Sequence, residues 1–71
     1  MPSKYPVLTP QEIMTKLSKF GFVKVAQKGS HIKLSNGTRV VIVPNHYEVA
    51  KGTLKSILIQ ADIPLELFLE A

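Results

Sequence analysis

His31-Ile32-Lys33-Leu34-Ser35-Asn36-Gly37-Thr38-Arg39-Val40-Val41-Ile42-Val43 decides the fold. Ile32 and Leu34 alternate with His31, Lys33 and Ser35, the period-two pattern of a strand with one buried face. Asn36-Gly37 between two such runs is the strongest short-range hairpin signal, because a tight two-residue turn needs positive φ at its centre. Thr38 to Val43 is then the returning strand, with Arg39 interrupting an otherwise apolar run. Upstream, Phe22 to Lys28 also alternates, with Val23 and Val25 on one side and Lys24 and Lys28 on the other, and Gly29-Ser30 turns the chain into His31. Strands at 22–28, 31–35 and 38–43, joined by hairpins, predict an antiparallel meander.

Outward from this meander lie two helical patterns. Thr9-Pro10-Gln11-Glu12 reads as a capping box with proline at the first helical position. Ile13, Leu17 and Phe20 then recur on one helical face, and Gly21 supplies a C-terminal stop, predicting a helix over 10–20. On the other side Pro44 ends the sheet and residues 45–51 form a loop. Leu54, Ile57, Leu58 and Ala61 restore the helical period over 53–61. Pro64 opens a short last turn, about 64–69, from which Leu65, Phe68 and Leu69 pack back. Each helix needs one face covered and the sheet has one apolar face to offer. The expected architecture is an α+β two-layer α-β-β-β-α sandwich: a three-stranded antiparallel sheet with helices on one face.

The 71 residues suffice for a single domain, 1–71. A chain this short buries only about 60% of its unfolded surface, so help from a partner subunit or tight packing is expected. The absence of cysteine removes disulfides, thiolate metal sites and thiol nucleophiles together. Met1 to Thr9 lacks the apolar core of a signal peptide, and Val40–Val43 and Ile57–Ile59 fall far short of the roughly 20 residues that span a bilayer. A soluble, cytoplasmic protein without membrane contact is expected. Eight basic residues between Lys16 and Lys55 face the single Glu48, a net of +7 within a chain whose total is +4. Positive charge so concentrated suggests a polyanion such as nucleic acid, against the blander reading of a solvated lysine-rich surface.

Within that segment, Gly29-Ser30-His31 is the candidate for chemistry. Cleaving RNA without a metal needs a base for the 2′-OH proton, an acid for the leaving 5′-oxygen, and positive charge for the phosphorane between them. Imidazole serves as either base or acid near neutral pH. Gly29 permits close backbone approach to a phosphate, and the Ser30 hydroxyl is able to bond either the ring or a phosphate oxygen. Lys28 and Lys33 should flank His31 on the open face, with Lys24 a weaker case. The competing reading makes His31 an ordinary exposed strand residue and the lysines the wet side of a half-exposed sheet.

His46 has two readings, a second acid or base and a residue that fixes the entry to the second helix; the structural one is favoured. His31, His46 and Glu48 scattered over loops are poor evidence for a metal site, and no metal or small-molecule cofactor is expected. Gly52-Thr53 is open to phosphate binding through free N–H groups or to simple capping of the second helix. Tyr5 and Tyr47 are open to stacking on bases, but two tyrosines far apart in sequence read rather as ordinary packing residues.

Three markers fall together in order: Gly21-Phe22 at the first strand, Gly29-Ser30-His31 at the second, and Pro44-Asn45-His46 followed by Gly52-Thr53-Leu54. With the α-β-β-β-α order of the double-stranded-RNA-binding fold, this set resembles the HicA (YcfA-like) toxin family over about Thr9 to Phe68. The resemblance implies an mRNA interferase toxin of a type II toxin–antitoxin system: a metal-independent endoribonuclease with the histidine of Gly-Ser-His, here His31, as its catalytic residue. It also implies mRNA and a HicB-like antitoxin as partners, the antitoxin covering the active surface. Asp62 departs from the family pattern, which usually has glycine ahead of an isoleucine, and few of the basic residues are arginines. The alternative function is a non-catalytic RNA-binding module of the same fold, for which Gly-Ser-His would have no purpose.

Overall fold

The two turns of the meander are built by different side chains. Between Lys28 and His31 the chain reverses in two residues, with Gly29 in the left-handed region at φ 58°. That geometry is free for glycine and strained for any residue bearing a Cβ. The second turn is longer. Ser35 pairs with Val40, so residues 36–39 form a four-residue loop around Gly37 at φ 92°. The expected strand start at Thr38 moves to Val40, because Asn36 Oδ1 accepts the N–H groups of Thr38 (2.9 Å) and Arg39 (2.7 Å) and takes both donors from the ladder.

The computed structural model describes residues 5–71, in the order α1 (Pro10–Ser18), β1 (Val23–Lys28), β2 (His31–Ser35), β3 (Val40–Pro44), α2 (Lys51–Ala61) and α3 (Leu65–Glu70). The strands form one antiparallel sheet in the order β1-β2-β3. Helices cover one face, so the molecule is the expected two-layer α+β sandwich. Ile32 and Leu34 of β2 and Val41 and Val43 of β3 point inward and are buried among Ile13 and Leu17 of α1, Phe22, and Leu54, Ile57 and Leu58 of α2. Each such side chain, fully buried, stabilises the fold by roughly 1.5–3 kcal/mol. Phe68 carries α3 onto the same core, where Lys16 Nζ reaches back to the carbonyls of Leu69 and Ala71 at 3.3 and 3.0 Å.

β1 departs from its predicted half-buried alternation: every one of its residues is exposed. A bulge between Lys24 and Ala26 shifts the register there, so Val23 and Val25 do not share one continuous face. Helix α1 begins as expected. Thr9 Oγ1 accepts the Glu12 N–H at 3.1 Å, and the Thr9 N–H donates to Glu12 Oε1 at 3.0 Å. Its α-helical span closes at Ser18 rather than at residue 20, because Lys19 and Phe20 bond the carbonyls three residues back in a tighter last turn.

Helix α2 starts two residues earlier than the pattern at Thr53 suggested. Ala50 is its N-cap, with no side-chain capping bond, and Gly52 and Thr53 lie inside its first turn. It ends at Asp62, in the left-handed region at φ 59°, a conformation that favours glycine. An ion pair with Arg39 at 3.6 Å ties this end of α2 to the second turn. The last segment, expected as a short helical turn over about 64–69, is the six-residue helix α3. No helix among the described residues is long and apolar enough to cross a membrane.

Candidate functional site on the open sheet face

The face of the sheet turned away from the helices is set by register. Lys28, His31 and Pro44 form one cross-strand row, Ala26, Lys33 and Ile42 the next, and Val23, Ser35 and Val40 the last. Directly opposed side chains in such rows stand about 4.5–5.5 Å apart at Cβ. His31, the first residue of β2, is therefore flanked by Lys28 across the strand gap and by Lys33 two residues along. All three are exposed. The open face thus has a basic end around His31 and an apolar end, where Val23 and Val40 are 58% and 45% exposed, with exposed Ile42 beside Lys33 between them.

Five of the expected site residues, Lys28, Gly29, Ser30, His31 and Lys33, come together at that basic end. Lys24 does not. It pairs with inward-facing Leu34, and its Nζ is held by Gln27 Oε1 at 2.7 Å, on the other side of the sheet from His31.

A long-range contact extends the site. The Asn45 N–H donates to the Ser30 carbonyl at 2.6 Å, so the loop after β3 is pinned to the turn that presents His31. His46 follows directly and lines a shallow cleft with Pro44, Glu48 and Thr53. The uncapped start of α2 closes this cleft, with Lys51 in its first turn and no acidic residue there. Thr53 thus lines the same cleft as His46, with Gly52 beside it in the first helical turn. Among the described residues no three histidine or carboxylate side chains gather closely enough to hold a metal ion, so His31, His46 and Glu48 do not form a ligand set.

Sequence reasoning missed two features. Asn45 as the anchor of the loop carried no sequence signal beyond its place in a Pro-Asn turn. Tyr5 packs partly against the core as expected, but Tyr47 does not pack at all: it is 98% exposed.

A basic α-β-β-β-α sandwich with a histidine and lysines on its bare sheet face defines a small protein of the double-stranded-RNA-binding type of fold. The family model described as the HicA toxin of bacterial toxin-antitoxin matches residues 10–63, well over half of the chain. The chain belongs to the HicA toxin family. It is accordingly the toxin of a toxin–antitoxin system, with an antitoxin as partner. Comparison with curated proteins gave no match.

Proposed function

We propose that this toxin is a metal-independent endoribonuclease that cleaves mRNA in the cytoplasm through His31 and is restrained by a HicB-like antitoxin. The observation that carries the proposal is the row Lys28–His31 beside Lys33, exposed behind the Gly29-Ser30 turn. His31 takes the proton of a ribose 2′-OH, and the 2′-oxygen forms a bond to the adjacent phosphorus. The P–O5′ bond breaks, and the leaving 5′-oxygen takes a proton from water. The products are a 2′,3′-cyclic phosphate and a free 5′-hydroxyl.

Lys28 and Lys33 stabilise the charge that builds on the phosphorane oxygens. The Ser30 hydroxyl, the Gly29 backbone and the free N–H groups around Gly52 and Thr53 hold flanking phosphates. His46 fixes the loop into α2. One imidazole acting in proton transfer contributes about 10²- to 10⁴-fold in rate, so slow turnover is expected.

The test is inducible expression of wild type and His31→Ala, following growth and the integrity of a reporter mRNA with and without EDTA in the purified assay. Growth arrest and mRNA loss in wild type alone, insensitive to EDTA, is the expected result. An equally toxic His31→Ala protein removes His31 from catalysis, and RNA binding without cleavage by wild type identifies the binding module instead.

A further inference from the structure

Tyr47 is an aromatic ring with nothing packed over it. It is 98% exposed, and no hydrogen bond engages its hydroxyl among the described residues. A tyrosine in this state forgoes the burial that aromatic side chains usually supply to a fold. Its neighbours Asn45, His46 and Glu48 are polar and exposed.

Its place on the chain is fixed at both sides. Pro44 pairs with His31, Asn45 is bonded to Ser30, and Val49 is buried and bonded to the Leu8 carbonyl at 2.8 Å. Tyr47 lies three steps along the chain from Pro44, a reach of at most about 11 Å. The ring therefore projects from an anchored loop beside the histidine, within reach of a nucleotide next to one bound there.

We infer that Tyr47 is a stacking platform for an unpaired base of single-stranded RNA flanking the phosphate held at His31. This rests on the endoribonuclease reading and adds to it the kind of RNA the site accepts. Every base offers a π-face to such a ring, so the contact favours an unstacked, single-stranded substrate over a duplex and is tolerant of base identity. The surroundings favour a base over a protein partner. Aromatic anchors of protein interfaces sit among apolar contacts that exclude water, whereas the loop residues on either side of Tyr47, namely Asn45, His46 and Glu48, are polar and exposed.

The experiment compares Tyr47→Ala, Tyr47→Phe and Tyr47→Trp in two backgrounds. In His31→Ala, affinity is measured for a short single-stranded oligoribonucleotide and for a hairpin duplex. In the otherwise wild-type protein, KM and kcat are measured on the same single strand. Tyr47→Ala should weaken single-strand binding about 5- to 150-fold and raise KM with kcat largely spared. Tyr47→Phe should behave as the parent. Tyr47→Trp should bind, with its fluorescence quenched by RNA; the chain has no other tryptophan.

Unchanged affinity and KM in Tyr47→Ala overturn the inference alone, as does an equal loss for single strand and duplex. Weakened antitoxin binding with RNA affinity intact assigns the ring to the protein partner and likewise overturns it. A parent that neither binds nor cleaves RNA overturns the proposed function together with the stacking role.

Discussion

The two long helices differ at both ends. Helix α1 opens with a complete capping box, has proline in its first turn, and hands over to Gly21, whose φ of 86° suits the left-handed turn there. Helix α2 opens on Ala50, which has no side chain able to cap, and closes on Asp62, a residue with a Cβ in the left-handed region and an acid at the helix end where cations are favoured. Helix α1 is specified locally. Helix α2 is held by what it buries, Leu54, Ile57, Leu58 and Ala61, and by one ion pair to Arg39. The difference follows location. The start of α1 joins the candidate loop only through Leu8, whose carbonyl accepts the Val49 N–H at 2.8 Å, while the start of α2 walls the cleft beside His46 directly. A side-chain cap there would occupy the N–H groups that the proposed function gives to phosphate.

The sharpest way to break this contrast is in the core. Leu54→Ala should cost about 2–5 kcal/mol, enough to threaten a domain of this size, because α2 has no side-chain N-cap to fall back on. A urea melt showing under 1 kcal/mol lost would mean that packing is not what holds α2. Next come the caps themselves. Thr9→Ala should lower stability by about 1 kcal/mol, a fall of about 4–8 °C in Tm, with RNA cleavage per folded molecule unchanged. Ala50→Ser should do the reverse, raising stability by about 0.5–1 kcal/mol, since Ala50 already has the extended backbone of an N-cap (φ −61°, ψ 152°). Ala50→Asp should add stability yet, if the proposed function holds, slow cleavage by placing a further acid at the mouth of the cleft beside His46. Equal cleavage by Ala50→Asp and wild type would remove the start of α2 from the site.

Acid should separate the helices further. Hydrogen bonds from the Thr9 backbone and side chain, aided by Lys16, hold the Glu12 carboxyl below the usual carboxylate range. A depressed folded-state pKa means that this stabilisation is fully present above the unfolded value and is lost as pH falls through the folded one. Glu12→Gln should therefore flatten the acid limb of the stability curve, whereas Ala50→Ser should leave its shape unchanged. The smallest effect is at Asp62. Asp62→Gly relieves left-handed strain but gives up an exposed ion pair and adds chain entropy, so a change within about 0.5 kcal/mol is expected by thermal melt.

The same contrast explains what could be read in advance. The start of α1 and the faces of β2 were legible, because Thr9-Pro10-Gln11-Glu12 and the alternation from His31 to Ser35 act through near neighbours. The alternation alone sets His31 and Lys33 on one face. The start of α2 was not legible, since Ala50 carries no capping signal and tertiary packing sets the boundary. The bulge in β1 was equally hidden: it falls at Val25, a good strand former, with no glycine to mark it. Asn36 and Gly37 marked a turn, but its length depends on a side-chain oxygen choosing two amides. The approach of the His46 loop rests on the bonds from Asn45 to Ser30 and from Val49 to Leu8, long-range contacts that local patterns do not encode.

The irregularity in β1 also bears on how the protein behaves in a crowded cell. An edge strand with exposed valines is a template on which further strands add, the first step toward fibrous aggregates. Here the register shift between Lys24 and Ala26 breaks the flat row of amides and carbonyls, and Lys24 and Lys28 repel an identical edge. The bulge lets the protein keep a bare sheet face without inviting copies of itself to add to the β1 edge.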